Sequence, residues 1–378
     1  MALQILQKDL FSLLQKACPV APAKSSLQIL SNIKLCVHEG TIDVVATDLD
    51  HSIQVQGSIE GSDVFEVAIN ARKAFDLVRE IPEGMVGIDV DENVVSLISE
   101  KGFSCKVAGT DVRDYPDFPQ IEESASFSVT ASDMKRMVQR SVFAVSKDSS
   151  RSCLCGVNWV MGDGSMTMVA TDGHRLGRCT LPTDHLPVEP TSAIISPKSL
   201  IHMCRSIDSE PSSSLIHVSL GSEYVVFSLG TLRLCSKLID GPYPDYEKVI
   251  PRENPKAAVI DRSMLVDAVR RVSILSNQKT HLVKFSFLQQ QLEIVVLNRD
   301  IGGEAREVLP AEYEGEQHSI GLNAHFLNEI LGIIDSPRVR FEMNTQISAC
   351  LIYPVHEEAL RTDDLFLIMP LRIMDELL

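Results

Sequence analysis

Alternating apolar and polar positions recur along the chain in segments that lead to the same short motif. Gly40–Val55 reads GTIDVVATDLDHSIQV and Gly164–Leu181 reads GSMTMVATDGHRLGRCTL, so each begins at a turn glycine and alternates into an apolar strand that reaches V-A-T-D. The motif aspartates Asp48 and Asp172 are 124 residues apart. A weaker third copy, QQLEIVVLNRD, has Arg299 at this position, 127 residues further on. The pattern predicts three related strand segments and thus an internal repeat.

Each segment is followed by a strand that runs into an amphipathic helix. Asn70, Ser196 and Asn323 stand just before these helices, where a side-chain oxygen can accept hydrogen bonds from the free amides of the first turn. They are 126 and 127 residues apart, and another helix with apolar residues at the helical period opens each copy. The pattern predicts these helices: Gln7–Ala17, Asn70–Ile81, Thr130–Val142, Ser196–Ile207, Asp261–Val272 and Asn323–Ile334.

The period of these features is that of a whole domain. One third of the 378 residues is 126, and YPDFP at Tyr115–Pro119 and YPDYEKVIP at Tyr243–Pro251 are 128 residues apart. This period is far longer than the roughly 20–50 residues of solenoid repeats. Two helices among many alternating strands indicate an α+β domain with antiparallel sheets covered by helices. We therefore predict three tandem domains, at residues 1–122, 123–252 and 253–378.

The charge of the chain is unevenly distributed between the helices and the rest. A net charge of −16 by itself argues against nucleic-acid binding, because attraction to phosphates needs a basic surface. The predicted helices together nevertheless carry +6, which leaves −22 on everything else. This distribution favours a single track that attracts phosphates. Since no helix-turn-helix or zinc-finger spacing occurs, we expect contact with the DNA backbone and not base readout.

Composition and cysteine spacing limit the class of protein. Apolar residues make up 44% of the chain, and no apolar run approaches the roughly 20 residues of a membrane span. The start, MALQILQKDL, lacks the basic segment of a signal peptide. Nine scattered cysteines without a C-x-x-C motif indicate reduced thiols in the cytoplasm. We expect no metal and no other cofactor.

An enzyme is the main alternative. Thr171, Asp172 and His174 could act as acid, base or metal-ligating groups. Asp172 and Asp48 share one position of the repeat, however, and the third copy has Arg299 there, which is more typical of a turn-stabilising carboxylate than of a catalytic one. The chain also lacks the P-loop, the nucleophile elbow and H-E-x-x-H. A scaffold protein without a DNA role is a third possibility, and the basic helices count against it.

Four segments resemble one known protein family. They are ATDGHRL at Ala170–Leu176, LIDGPYPDYEKVIP at Leu238–Pro251, ILSNQK at Ile274–Lys279 and IMPLRI at Ile368–Ile373. Through them the chain resembles the bacterial DNA polymerase III beta subunit, or DNA sliding clamp, family along its whole length. The resemblance implies a non-catalytic processivity factor in which two three-domain protomers join head-to-tail. This homodimeric ring, with helices inside and sheets outside, would encircle double-stranded DNA of any sequence. The implied partners are the polymerase catalytic subunit, the clamp-loader ATPase and repair factors, which dock through short peptide motifs.

The resemblance also implies three sets of functional residues. The peptide pocket, between the second and third domains, would comprise Thr171, Gly173, His174, Arg175, Leu176, Pro244, Lys248, Val249, Asn323, Phe326, Ile347, Leu367, Ile368, Met369, Pro370, Leu371, Arg372 and Ile373. The expected DNA contacts are Lys24, Arg72, Lys73, Arg151 and Lys198, with the helix residues Lys135, Arg136, Arg140 and Arg205. The protomers would join Phe103 and Cys105 of one to Ile274 and Leu275 of the other.

Several pocket side chains have a chemistry suited to a peptide. The apolar members would form a groove for its side chains, and Arg175, Lys248 and Arg372 could bond its carbonyl groups or an acidic flank. The alternative is that IMPLRI is a final core strand and that His174 is a hydrogen-bonded surface residue.

The chain departs from the family pattern at four places. Ser152 and Cys153 stand where better-known members have adjacent tyrosines near the DNA. Lys248 replaces a common arginine and so lacks its planar fork. The sixth predicted helix has no lysine or arginine. Met374–Leu378, an acidic tail with two leucines, extends past the usual end, and one hypothesis is that it reaches a peptide pocket.

Overall fold

The fold repeats one order of elements three times. The computed structural model describes residues 3–183, 189–208, 210–357, 359–360 and 362–373, so the tail at Met374–Leu378 lies outside the described residues. The first copy consists of β1 (Leu3–Leu6), α1 (Gln7–Ala17), β2 (Asn32–His38), β3 (Thr41–Thr47), β4 (His51–Ser58), β5 (Phe65–Asn70), α2 (Ala71–Glu80), β6 (Met85–Asp91), β7 (Val94–Ser99) and β8 (Ser104–Ala108).

The second and third copies follow the same order. The second consists of β9 (Ala125–Thr130), α3 (Ala131–Ser141), β10 (Val157–Gly162), β11 (Ser165–Thr171), β12 (Arg175–Pro182), β13 (Thr191–Ile195), α4 (Pro197–Ser206), β14 (Leu215–Leu220), β15 (Tyr224–Leu229) and β16 (Leu232–Lys237). The third consists of β17 (Lys256–Asp261), α5 (Arg262–Ser273), β18 (Leu282–Leu288), β19 (Gln291–Asn298), β20 (Gly303–Pro310), β21 (His318–Asn323), α6 (Ala324–Ile333), β22 (Arg338–Met343), β23 (Cys350–His356), β24 (Ala359–Leu360) and β25 (Asp364–Ile368). Apart from the short β24, the three copies match element for element, which confirms the predicted repeat.

The helices begin and end within one residue of the predicted bounds. Asn70 Oδ1 accepts a hydrogen bond from the Lys73 amide at 3.0 Å, and Asn323 Oδ1 accepts one from the Phe326 amide at 3.2 Å. Asp261 caps α5 in the same way. Caps of this kind each stabilise a helix by about 1 kcal/mol, which explains why the local sequence defines the helix starts so well.

The first of two compact units contains the described residues of 1–134, 185–189 and 198–238. It has a four-stranded sheet in the order β1-β6-β7-β8 and an eight-stranded sheet in the order β5-β2-β3-β4-β16-β15-β14-β9, both antiparallel. Strands of the first and second copies share the larger sheet because β4 pairs with β16, with Ile53 opposite Leu234. Helices α1 and α2 pack together, and the rings of Phe11 and Phe75 lie 5.3 Å apart.

The second unit contains the described residues of 135–184, 190–197 and 239–378. Its four-stranded sheet has the order β20-β19-β18-β21, and its nine-stranded sheet has the order β13-β10-β11-β12-β25-β23-β22-β17 with β24 beside β23. The second and third copies share the larger sheet because β12 pairs with β25, with Gly177 opposite Phe366. Helices α5 and α6 pack over a core that includes Phe285 and Phe341, both fully buried.

The predicted domain boundaries stay predictions. Residues 122 and 123 fall between β8 and β9, and residues 252 and 253 fall between β16 and β17. Each boundary therefore lies in a connecting segment and cuts no regular element.

Candidate functional site

The recurring V-A-T-D motif forms a tight turn between two strands. In the second copy, Asp172 Oδ1 accepts hydrogen bonds from the His174 amide at 2.9 Å and the Arg175 amide at 3.0 Å. Thr171 Oγ1 accepts one from the Gly173 amide at 3.1 Å. Gly173 has a φ of 92°, a region that glycine enters without steric cost. The carboxylate thus closes the turn, as the comparison of the copies predicts.

The first copy closes its turn with the same carboxylate, and the third copy differs. Asp48 Oδ1 accepts from the Asp50 amide at 3.1 Å and the His51 amide at 2.7 Å. In the third copy Arg299 stands at the aspartate position, and the preceding residue Asn298, equivalent to Thr47 and Thr171, accepts from the Asp300 amide at 3.2 Å as Thr171 does from Gly173. Burial alone would raise the pKa of the Asp48 carboxyl, but hydrogen bonds from His51 and Lys198 outweigh it and hold the pKa well below its usual range. Asp48 is therefore an ionised structural group at neutral pH.

A groove of about 550 Å³ lies beside the second turn, within the second compact unit. Three exposed apolar side chains border it: Val249 is 53% exposed, Ile347 70% and Met369 36%. Exposed apolar side chains that converge on one concavity are typical of a binding site for an apolar ligand. The groove lining is Leu154, Thr171, Gly173, Arg175, Leu176, Pro244, Asp245, Tyr246, Lys248, Val249, Pro251, Ile347, Ser348, Ala349, Leu367 and Met369.

Ten of the predicted pocket residues line this groove, and the others lie outside its lining. The ten are Thr171, Gly173, Arg175, Leu176, Pro244, Lys248, Val249, Ile347, Leu367 and Met369. Those outside are His174, Asn323, Phe326, Ile368, Pro370, Leu371, Arg372 and Ile373.

Several residues outside the lining have structural contacts instead. The His174 carbonyl accepts from the Met369 amide at 2.8 Å, and the Gly321 carbonyl accepts from the Leu371 amide at 2.8 Å. Asn323 caps α6. Ile368 is fully buried. These residues fix the chain around the groove, so the final segment is both a core strand and, at its end, a wall of the groove.

Arg175 lines the groove, but its side chain has partners within the protein. Its side chain is 7% exposed, its Nε donates to Asp172 at 3.1 Å, and its Nη1 donates to Glu329. The guanidinium carbon lies 4.4 Å from the centre of the Phe326 ring and 5.3 Å from that of Phe143. The Nε and Nη1 donors of Arg175 therefore already have partners inside the protein, and its role in binding a peptide stays a prediction.

The groove rim is closer to neutral than its cations suggest. Lys248 Nζ lies 3.0 Å from Asp245, and Arg178 Nη1 donates to Glu247 at 3.0 Å. Lys248 remains 81% exposed, so it can still reach a ligand.

Six lining residues were missed by the sequence analysis: Leu154, Asp245, Tyr246, Pro251, Ser348 and Ala349. A signal existed for three of them, because Asp245, Tyr246 and Pro251 belong to the segment that carries the family resemblance. Leu154 lies outside the segments that carry the family resemblance, so only the fold shows that it lines the groove.

The predicted DNA contacts differ in availability. Lys24, Lys73 and Arg205 are exposed. Arg72 is 84% exposed although its Nε donates to Asp76 at 3.0 Å. Lys198 is half-exposed and forms an ion pair with Asp48.

Two further cations sit in the second unit. Lys135 is half-buried. Arg151 lies 3.4 Å from Asp148 and donates through Nη2 to the Asp172 carbonyl at 3.3 Å. Arg151 is therefore tied to the turn that borders the groove.

Two of the predicted DNA contacts, Arg136 and Arg140, are engaged within the protein. Arg140 is 3% exposed, and its guanidinium lies 3.4 Å from Asp364 and 3.0 Å from Asp335. Arg136 Nη2 donates to the other Asp364 oxygen at 3.0 Å. Both arginines pair with a carboxylate within the protein, which counts against a phosphate contact for the buried Arg140 most of all, and the two DNA contacts stay predictions.

The four predicted dimer-contact residues lie at sheet edges and beside them. Phe103 and Cys105 belong to the hairpin of β8, which ends its sheet within the described part of the chain. Ile274 is 77% exposed at the end of α5. The Leu275 carbonyl accepts from Asn298 Nδ2 at 3.0 Å, close to the start of β20, which ends the other four-stranded sheet.

Sequence models of three domains match successive parts of the chain. They are the N-terminal domain of the DNA polymerase III beta subunit at residues 1–119, its central domain at 128–245 and its C-terminal domain at 247–372. The chain belongs to the DNA polymerase III beta subunit family. The beta sliding clamp of Pseudomonas aeruginosa is 30% identical over 376 residues, 98% of this chain and 99% of that protein. The beta sliding clamp of Escherichia coli is 27% identical, with 99% and 100% covered.

Solved structures of sliding clamps agree with the fold. A Pseudomonas aeruginosa sliding clamp bound to griselimycin superposes with a TM-score of 0.92 at 28% identity, with 99% of this chain and 100% of that chain covered. One from Bartonella birtlesii, also bound to griselimycin, gives 0.91 at 27% identity with the same coverage. The predicted family and fold class are thus confirmed. This beta subunit family member is a DNA sliding clamp, a processivity factor and not an enzyme.

The described residues of this clamp contain no helix that is both long and apolar enough to cross a membrane.

Proposed function

We propose that this chain forms a homodimeric ring around double-stranded DNA and tethers the polymerase, the clamp loader and repair factors through short peptides. The observation that carries the proposal is the match of all three family domains, in order, over nearly the whole chain. The groove would then bind the peptides, the exposed cations would contact DNA, and the sheet edges would join the two protomers.

The groove is the proposed peptide site. Val249, Ile347 and Met369 present apolar area that is costly to leave in water, and a peptide with apolar side chains would cover it. The methionine is unbranched and can repack around different partners. The griselimycin-bound structures of related clamps support the use of griselimycin as a probe.

A double truncation tests this site. Val249→Ala with Met369→Ala removes two walls of the groove, and each lost contact of this size is worth about 1–2 kcal/mol, so griselimycin affinity should fall roughly 30- to 1,000-fold. Val64→Ala, at an apolar residue that is 61% exposed and lies in the first unit, is the matched control and should bind like the wild type. Calorimetric titration gives both affinities. Equal affinity of the double variant and the control would rule out this groove.

The internal repeat supports a specific register for the ring contact. Asn298 pairs with Gly303 as Thr47 pairs with Ser52, so Glu304 is the equivalent of Ile53. On the other side of the contact, Leu97 pairs with Cys105 as Phe227 pairs with Leu234. Because Leu234 lies opposite Ile53, we expect Cys105 to lie opposite Glu304 of the partner subunit. Strand β8 of each protomer would then pair antiparallel with β20 of the other.

A disulfide tests this register without a ligand. Directly opposite residues in an antiparallel pair have Cα atoms about 4.5–5.5 Å apart, which suits a disulfide. Glu304→Cys should therefore form a cross-linked dimer with the native Cys105 on mild oxidation, visible by non-reducing electrophoresis. Arg306→Cys, two residues along the same strand face, should not, because diagonal neighbours are about 7–8 Å apart. Cross-linking of Arg306→Cys in place of Glu304→Cys would contradict the proposed register.

The exposed cations Lys24, Arg72, Lys73, Lys198 and Arg205 are the proposed phosphate contacts. A closed ring should stay on circular DNA in salt that dissolves ordinary phosphate contacts, and it should leave once the circle is cut. The measurement is retention of loaded protein on circular and linearised DNA during gel filtration. Equal loss from both forms would contradict encirclement. Nine free cysteines support a reducing compartment, and we propose the cytoplasm.

A further inference from the structure

Strand β25 is buried along its whole length. Leu365, Phe366, Leu367 and Ile368 are each at most 3% exposed. A strand with one buried face has its register fixed by alternation, because a slip by one residue would turn apolar side chains to water. In β25 both faces are buried and four successive residues are large and apolar, so alternation gives no such signal. In the equivalent β16 one face carries the exposed Arg233 and Lys237, although Cys235 between them is buried, so polar side chains distinguish its two faces.

The single charged residue of β25 sits between two arginines. Asp364 is 1% exposed, its Oδ1 accepts from Arg136 Nη2 at 3.0 Å, and its Oδ2 lies 3.4 Å from Arg140 Nε. Both arginines belong to α3, more than 220 residues away in the chain. A slip by two residues would put Phe366 or Thr362 beside them and leave buried charges without partners. Breaking a buried ion pair in this way costs about 3–5 kcal/mol.

The register of β25 determines the groove. Leu367 lies three residues beyond Asp364 and pairs with Leu176, and Met369 lies two residues further on. Leu176, Leu367 and Met369 all line the groove. A slip of β25 would replace Leu367 by a neighbour and shift Met369 by several ångströms, since each strand residue spans about 3.3 Å.

We propose that Asp364 is a positioning residue that sets the register of β25 and thereby shapes the peptide groove. Buried polar groups are known to specify register at a cost in stability, as a single buried asparagine does in coiled coils. The same chain offers a comparison. In the β4–β16 pair the residue equivalent to Asp364 is buried Leu232, and Ser12 and Lys16 are the α1 residues equivalent to Arg136 and Arg140, so this strand pair forms without a carboxylate at that position.

The test transfers the residues of the β4–β16 pair to the β12–β25 pair. In the triple variant Asp364→Leu, Arg136→Ser and Arg140→Lys, no buried carboxylate is left, and the lysine at position 140 can pair with Asp335, which lies 3.0 Å from Arg140. We therefore expect a folded protein with a melting temperature close to that of the wild type. Without the ion pairs of Asp364, the rate of amide hydrogen exchange over residues 364–369 should rise at least tenfold. Griselimycin affinity should fall at least tenfold. Asp335→Asn, which removes only the exposed partner of Arg140, is the control and should match the wild type in both measurements.

Each result decides one question. Wild-type exchange over residues 364–369 in the folded triple variant would overturn the proposal, since the strand would then hold its register without Asp364. A loss of melting temperature without a rise in exchange relative to the rest of the chain would also overturn it, because Asp364 would then be a stabilising residue only. The affinity readout rests on the proposed peptide site, but the exchange readout does not. If the Val249→Ala/Met369→Ala variant keeps full griselimycin affinity, the groove assignment fails, and exchange alone still tests the register.

Discussion

Replacing Arg175 by alanine tests whether this side chain holds the fold together or binds a ligand. The variant loses hydrogen bonds to Asp172 and Glu329 and the contact with the Phe326 ring, 4.4 Å from the guanidinium carbon. Removing one partner of a buried ion pair costs about 3–5 kcal/mol. Glu329 keeps 37% of its side chain exposed and can regain water. We therefore expect Arg175→Ala to lower the free energy of unfolding by about 3 kcal/mol, the lower end of this range.

The assay is thermal unfolding by calorimetry, with a matched arginine as control. For a cooperative unit of 150–250 residues a loss of 1 kcal/mol lowers Tm by about 2–4 °C, so Arg175→Ala should lower it by roughly 6–12 °C. Arg178 lies on the same strand and pairs with Glu247 at 3.0 Å, but the Glu247 side chain is 57% exposed. Exposed pairs are worth about 1 kcal/mol or less, so Arg178→Ala should lower Tm by no more than about 4 °C.

The reasoning fails if both variants melt at the same temperature. It also fails if Arg175→Ala melts like the wild type but loses griselimycin affinity, because Arg175 would then be a ligand-binding group as the sequence first suggested. A double-mutant cycle with Glu329→Gln separates the two explanations, since the structural pair should show a coupling energy of about 1–2 kcal/mol without any ligand.

Further predictions concern the turns and the caps. The lowered pKa of Asp48 stabilises the fold above the unfolded-state pKa of about 4, so the stability gap between wild type and Asp48→Asn in urea titrations should be full at pH 7 and shrink as pH falls below about 4. Gly173→Ala, at a φ of 92°, should cost about 1 kcal/mol in the same titration, whereas Leu49→Ala at a φ of 79° in the first copy should cost less, because leucine already bears the left-handed strain there. Asn323→Ala should lower the free energy of unfolding by about 1 kcal/mol through loss of the α6 cap. Asn323→Asp should keep most of this stability, because its carboxylate can still accept the capping hydrogen bond.

Local features of the sequence predicted local structure well. Helix starts followed from capping residues such as Asn70 and Asn323, because a cap acts within three residues of its own position. The turn-closing role of Asp172 followed from comparison with Asp48, because in both copies the carboxylate accepts hydrogen bonds from the backbone amides of the same turn. The family resemblance then located most of the groove lining, including Val249 and Met369.

Charge counting could not tell an exposed cation from a buried one. Arg140 contributed to the basic character of its helix in the sequence, yet its partner Asp364 lies 224 residues away and removes that charge from the surface. The ion pair of Arg175 could not be predicted for the same reason, because its partner Glu329 lies 154 residues away. Helical periodicity gives the direction of a side chain about its own axis, whereas its partner depends on the packing of distant elements.

One position of the repeat shows how the copies differ in task. Leu234, Phe366 and Cys105 occupy the same position of the repeat. The residues two positions before them, Leu232, Asp364 and Phe103, are therefore equivalent as well. Leu232 is buried without a charge, Asp364 is buried between arginines, and Phe103 is 38% exposed in the protomer. Burying a whole phenylalanine side chain is worth about 1.5–3 kcal/mol, so covering the remaining area of Phe103 adds only about 1 kcal/mol to the proposed contact between protomers. Opening the β12–β25 pair would instead separate a buried ion network and a fully buried strand. The proposed ring should therefore open for loading at the contact between protomers, while the two strand pairs within the chain stay closed.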